Sequence, residues 1–247
     1  MIATIIRKEL QMLFTSPLAW LILALVQLVL AWVFLVRLDA FLEIQSQLLQ
    51  ISNPPGVTEI IVTPVFAVAA IILLLVTPLL SMRLLAEERR NGTLTLLISA
   101  PVSMADIVLG KFLGLLSFFS IVIALIVALC VSLRAGGVLD FGLLLSNIIG
   151  SFLIVASFSA FGLYISSLTA QPVIAAAGTL SALLGLWLVD LAASATEGWL
   201  HYFSLLKHFG HFNEGLIDTF SVAYFVLFTV TFLLLAIRRL DGERLHG

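Results

Sequence analysis

The chain has 247 residues, of which 62% are apolar and 11% charged, with a formal net charge of −2. Ordinary soluble domains are roughly 45–50% apolar and about 25% charged, so this composition excludes a soluble globular domain. A near-neutral balance with no basic tail and no interleaving of aromatic and basic residues gives no footprint for nucleic acid either.

In residues 1–16, Ile2, Ile5, Ile6, Leu10, Leu13 and Phe14 share one side of a helix, and Thr4, Arg7, Lys8 and Gln11 share the other. That is the pattern of an amphipathic helix lying at a membrane surface. Glu9 interrupts the apolar side. A carboxylate there is costly without a partner, so it either forms a salt bridge with a cytoplasmic arginine or snorkels to water. Ser16-Pro17 supplies an N-cap followed by proline at the first helical position. The apolar run 18–36 matches the roughly 20 residues that span a bilayer and has no small-x-small cleavage site, so it reads as an anchor.

Helix one is expected over 18–38, ended by Arg37-Leu38-Asp39. Residues 39–60 are expected to form an outer connector without clear regularity. Helix two is expected over 62–82, kinked by Pro78. The interval 83–111 follows, polar and dense in charge. Glu87, Glu88, Arg89 and Arg90 close the preceding helix, and Asn91-Gly92 is a helix-stop pair. Residues 93–99 are long enough for a short helix bearing Leu94, Leu96, Leu97 and Ile98, which Ala100-Pro101 breaks. Ser103-Met104-Ala105-Asp106 reads as a capping box opening the next helix. An apolar-studded helix at the end of a membrane bundle suits a grip from solution; an ordinary solvated loop is the other reading.

Helix three is expected over 112–133. It contains Cys130, the single cysteine, which excludes an intrachain disulfide and a thiolate metal centre and leaves a packing role. After a turn at Arg134-Ala135-Gly136-Gly137, helix four is expected over 141–168, long enough to require tilt or a break near Gly150-Ser151. It is dense in small residues: Ala156, Ser157, Ser159, Ala160, Gly162 and Ser166. Helix five, expected over 172–191, sets Ala177, Ser181 and Gly185 at four-residue spacing beside Gly178 and Ala182. Small-xxx-small faces let helices approach closely in lipid, either within one subunit or between two. Residues 192–218 mix Trp199, Tyr202, Phe203, Phe209 and Phe212 with His201, Lys207, His208, His211, Glu214 and Asp218, which suits an interface. The histidines offer a weak metal reading and a better one as hydrogen-bonding groups at headgroup level. Helix six is expected over 220–237, followed by Arg238-Arg239 and a short tail.

The expected fold is therefore an all-α integral membrane protein with six transmembrane helices. With both termini in the cytoplasm, Arg7, Lys8, Arg83, Arg89, Arg90, Lys111, Arg238, Arg239 and Arg244 fall inside and only Arg37, Arg134 and Lys207 outside. That asymmetry selects this orientation and puts 83–111 in the cytoplasm. No catalytic, cofactor-binding or metal-binding residues are expected. Gly110-Lys111 lacks the rest of a phosphate-binding loop, and neither a His-Glu-x-x-His nor a Gly-x-Ser-x-Gly motif is present. The helix interiors hold Gln27 and hydroxyls rather than the ionisable groups of ion-driven carriers. A secondary transporter is disfavoured on that ground, and an intramembrane hydrolase would have only Asp140 and Asp190 to work with.

Met82-Arg83-x-x-Ala86-Glu87-Glu88, Gly92-Thr93-Leu94-x-Leu96-Leu97, Pro101-Val102-Ser103 and Ile107-Val108-Leu109-Gly110-Lys111 resemble the loop between the second and third membrane helices of ATP-binding-cassette (ABC) exporter permeases of the second export type. The gliding-motility-associated branch looks nearest, and weaker similarity extends over most of the chain. Where that family often has an acidic residue, this chain has Thr95. The resemblance implies a coupling helix that docks into a cleft on a separate ABC ATPase, which carries the ATP and magnesium, since this chain binds no cofactor directly. Glu87, Glu88, Arg89, Arg90, Gly92, Thr93 and Pro101 would set the rim and turns of that contact, and Leu94, Leu96, Leu97 and Ile98 its buried anchor. It further implies two ATPase copies and a second permease copy or related permease meeting along Ala177, Ser181 and Gly185. An outer re-entrant hairpin between helices five and six, a bacterial cytoplasmic (inner) membrane setting and a large extracytoplasmic auxiliary subunit are also implied. Cargo export and mechanical transmission without cargo both fit, the latter making the chain a non-transporting anchor.

Overall fold

A computed structural model describes residues 2–48, 56–93, 102–135, 139–193 and 204–246, which are helical almost throughout. Among them are eight α-helices: α1 (Ile2–Thr15), α2 (Pro17–Leu48), α3 (Thr63–Arg90), α4 (Met104–Val131), α5 (Phe141–Leu168), α6 (Pro172–Ala193), α7 (Leu205–Asn213) and α8 (Thr219–His246). A π-helical turn, Thr58–Val62, leads into α3, and a 3-10 turn, Ser132–Ala135, leaves α4. Five helices (α2, α3, α4, α5 and α8) are long and apolar enough to cross a membrane, and α6 holds a shorter apolar stretch, Pro172–Leu188.

Several expected boundaries move. α2 runs through Arg37-Leu38-Asp39 to Leu48, because the polar residues Arg37, Asp39 and Glu43 turn outward and no glycine or proline interrupts the sequence 18–48. Its 32 residues span about 48 Å at 1.5 Å per residue, well beyond one hydrocarbon core of roughly 30 Å. α5 is unbroken at Gly150-Ser151. A Cβ on Gly150 would lie 2.6 Å from Phe212 Cβ, so this glycine seats α7 rather than interrupting α5. α8 continues through Arg238-Arg239 to His246 in place of a short tail.

α3 and α5 form the centre of the bundle. A Cβ on Gly162 would stand 2.7 Å from Ser81 Cβ, so these helices touch backbone to side chain. Nearby, the buried Ser166 hydroxyl accepts from Leu85 N at 3.2 Å and Ala86 N at 3.0 Å and donates to Met82 O at 3.1 Å. Farther along, Ser157 Oγ donates to Phe225 O on α8 at 3.3 Å. The small residues of α5 thus serve contacts within the subunit: Ser157, Ser159, Ala160 and Ser166 are all fully buried. On α6, Ala177 and Ser181 are exposed and a Cβ on Gly185 would meet open space, while Ala175, Thr179 and Leu183 point into the subunit.

Gly162→Ala should destabilise the protein by about 1–3 kcal/mol, as overpacking does. Gly210→Ala, where a Cβ meets nothing, should instead gain about 0.5–1 kcal/mol of helix propensity. Thermal unfolding of the two variants in detergent checks the opposite signs.

Candidate functional site

α1 packs onto the first three turns of α4 because α4 presents glycine, not side chains, at the points of contact. A Cβ on Gly110 would come within 2.7 Å of Ile5 Cγ2, and one on Gly114 within 2.8 Å of Glu9 Cβ. Four-residue spacing makes these glycines a flat seat for an amphipathic helix. The apolar face runs as its pattern implies: Leu13 is buried, and Phe14 meets Trp20 and Phe118 with ring centroids 5.6 and 5.7 Å apart.

Glu9 enters this seam 5% exposed, and Lys111 lies beside the glycines at 1%. Lys111 Nζ donates to Glu9 Oε1 at 2.7 Å and sits 2.9 Å from Glu88 Oε1 at the end of α3. Lys8 Nζ approaches the same Glu88 oxygen at 3.5 Å from the exposed side. The partner of Glu9 is thus a lysine on α4 rather than an arginine, and Glu9 does not snorkel to water. Two carboxylates and two ammonium groups balance in charge. A low dielectric makes their attraction strong but also makes their desolvation costly, so each ion depends on the others.

The cluster frames the ends of the helices that bracket the loop. α3 closes with Asn91 N donating to Glu87 O at 2.9 Å and Gly92 N to Arg89 O at 3.2 Å. Gly92 has φ of +71°, the left-handed geometry that stops a helix at low cost only for glycine. α4 opens at Ser103, whose Oγ accepts from Asp106 N at 3.0 Å and meets Asp106 Oδ2 at 2.7 Å. The capping serine therefore acts as expected, with the carboxylate reaching its hydroxyl. Arg89 donates from one nitrogen to both Glu243 oxygens, at 2.6 and 2.7 Å, and Arg239 Nε lies 3.4 Å from Glu243, tying the end of α8 to the base of the loop. Thr93 Oγ1 donates to Glu88 O at 3.2 Å, and Arg90 is exposed. Leu94, Leu96, Leu97, Ile98 and Pro101 lie outside the described residues.

At the opposite end of α8, His208 Nδ1 and His211 Nδ1 converge on Ser221 Oγ at 3.1 and 3.2 Å, and Ser221 Oγ reaches Asp218 Oδ2 at 3.3 Å. Asp218 caps α8 from a fully exposed position. The Phe220 backbone N–H holds its carboxyl below the ordinary carboxylate range, helped by Ser221 and the nearby His211 charge. His208 is buried against Tyr224, with ring centroids 4.5 Å apart. His201 lies outside the described residues, among which no three potential metal-ligating side chains gather. Asp140 likewise caps a helix, accepting from Gly142 N at 2.8 Å and Leu143 N at 3.2 Å. Of the segment expected to form the re-entrant pair, α7 is described; Ser146 Oγ of α5 donates to its Phe212 O at 2.9 Å.

Sequence reasoning missed Lys111 as a buried ion, Gly110 and Gly114 as a helix seat, and Glu243 as the partner of Arg89. The small-xxx-small spacing of the two glycines was the available signal. Lys111→Met should cost about 3–5 kcal/mol by stranding Glu9, and adding Glu9→Leu should recover part of that loss. Denaturant unfolding of the single and double variants in detergent checks the coupling.

Against known proteins, a family model described as ABC-2 family transporter protein matches residues 3–243. A search of curated proteins finds no match. Members of the matched family are typically non-catalytic, multi-pass membrane subunits that work with an ATPase partner. With the match covering nearly the whole of a chain built from long apolar helices, this protein belongs to the ABC-2 family of transporter membrane proteins.

Proposed function

We propose that this permease subunit receives the stroke of a separate ABC ATPase through residues 93–101, nearest in kind to the gliding-motility-associated branch. The observation that carries this reading is the buried Lys111 cluster. It joins α1, the end of α3 and the start of α4 on both sides of that loop, at 2.7 and 2.9 Å. A loop held between interlocked helix ends delivers a push to the bundle instead of absorbing it. Arg89 and Glu243 extend the frame to α8. Leu94, Leu96, Leu97 and Ile98 then supply the apolar anchor in the ATPase cleft, with Glu87, Glu88, Arg89, Arg90, Gly92, Thr93 and Pro101 setting its rim and turns.

In this reading α6 is the sixth crossing, both termini are cytoplasmic, and the membrane is the bacterial inner membrane. A second permease copy meets the exposed stripe Ala177, Ser181 and Gly185, and two ATPase copies serve the pair. The subunit interior is filled by fully buried Phe66, Phe118, Phe158 and Phe225. Cargo therefore passes between subunits, or force alone passes to an extracytoplasmic partner. The filled interior favours neither branch over the other, and both use the same stroke.

Changing Leu96 and Leu97 together to alanine should abolish permease stimulation of ATP hydrolysis while leaving the permease folded; unchanged stimulation overturns the docking role. In a Cys130→Ala background, Leu96→Cys should react with a membrane-impermeant thiol reagent applied only from the cytoplasmic side. Labelling from the opposite side would reverse the orientation.

A further inference from the structure

A cavity of about 410 Å³ opens between α1, the start of α2 and the end of α3. Its walls are partly apolar, with Met12 and Leu80 among them, and partly charged, with Lys8, Arg83, Glu87 and Glu88. Lys8 and Glu88 pair at 3.5 Å, which leaves Arg83 and Glu87 as the charges on this wall without an ion partner among the described residues. Arg83 Nη1 donates to Ser16 Oγ at 3.3 Å, and no carboxylate pairs with it among the described residues. Glu87, one turn along the same helix, likewise has no cation within ion-pair distance there. Glu88 is 8% exposed, and its Oε2 is buried without a hydrogen-bond partner, while Oε1 carries both lysines.

An unpaired guanidinium and unpaired carboxylate oxygens on one cavity wall call for a ligand carrying both an anion and a donor cation. The apolar wall calls for hydrocarbon on the same molecule. The setting supplies it: α1 is amphipathic, and Trp20, 60% exposed, donates its indole N–H to Phe14 O at 2.9 Å beside the cavity. Exposed tryptophans of this kind sit at headgroup depth.

We propose that this cavity binds the headgroup of a zwitterionic phospholipid bearing a primary amine. Its phosphate lies on Arg83, its ammonium on Glu87, and the start of its acyl chains runs over Met12 and Leu80. Guanidinium suits phosphate because it offers several donors in one plane. A primary ammonium suits the carboxylate because a trimethylated amine has no N–H to donate. The assignment rests on α1 lying at a membrane surface.

The test uses the full chain in nanodiscs containing equal amounts of phosphatidylethanolamine, phosphatidylcholine and phosphatidylglycerol with the same acyl chains, followed by native mass spectrometry of retained lipid. Phosphatidylethanolamine should be retained about tenfold over both others, the value of roughly one charge-assisted hydrogen bond. Glu87→Gln should erase that preference, and Arg83→Gln should lower retention of all three lipids. Met12→Trp, which fills the cavity from an exposed position without touching its charges, should lower retention of all three lipids. Equal retention of the three, preference for phosphatidylglycerol, or unchanged retention in every variant overturns the proposal. Displacement of bound lipid by free phosphoethanolamine at equal concentration overturns it too, and assigns the cavity to a soluble ligand.

Discussion

A lysine with almost no exposed surface, held by two carboxylates from two other helices, is the constraint on which the loop-bearing end of this protein depends. Lys111 is placed on α4 by the chain, yet its charge is tolerable there only because α1 brings Glu9 and α3 brings Glu88. The three helices cannot separate without exposing an uncompensated ion to a poor dielectric. An apolar contact between the same helices would slide at little cost. An ion pair with fixed hydrogen-bond geometry does not, and that difference locks α1, α3 and α4 together at this end of the bundle.

The rest of the subunit follows a complementary logic. Where helices must be close, glycine and serine remove bulk: Gly162 against Ser81, Gly150 against Phe212, Gly110 and Gly114 under α1. Lipid offers no hydrophobic drive between helices, so packing and hydroxyl bonds such as those of Ser157 and Ser166 hold the centre. The outer faces of α2, α6 and α8 carry large exposed apolar side chains, including Trp32, Val173 and Leu227, as surfaces against lipid or another subunit require.

The membrane class, the amphipathic α1 and the helix caps at Ser103 and Asn91-Gly92 were legible in the sequence because each depends on local chemistry. Glu9 was legible as an anomaly, since a carboxylate on an apolar stripe violates its own helix. Its partner was not: Lys111 is 102 positions away, and a sequence carries no distance across a fold. Helix ends in α2 and α8 were placed too early because hydropathy fades before helical geometry does. Polar residues such as Arg37 and Glu243 leave the apolar window yet remain good helix formers. Of the tilt or break expected near Gly150, the break does not occur, since a glycine that looks like a weak point in one helix is a socket for another.

The buried ion cluster has a bearing on how the protein responds to warming. Hydration of charged groups becomes less favourable as temperature rises, so the cost of keeping Glu9, Glu88 and Lys111 out of water shrinks. Heat therefore penalises this joint less than it penalises interfaces built without ions. The junction of α1, α3 and α4 should be among the last parts of the bundle to loosen.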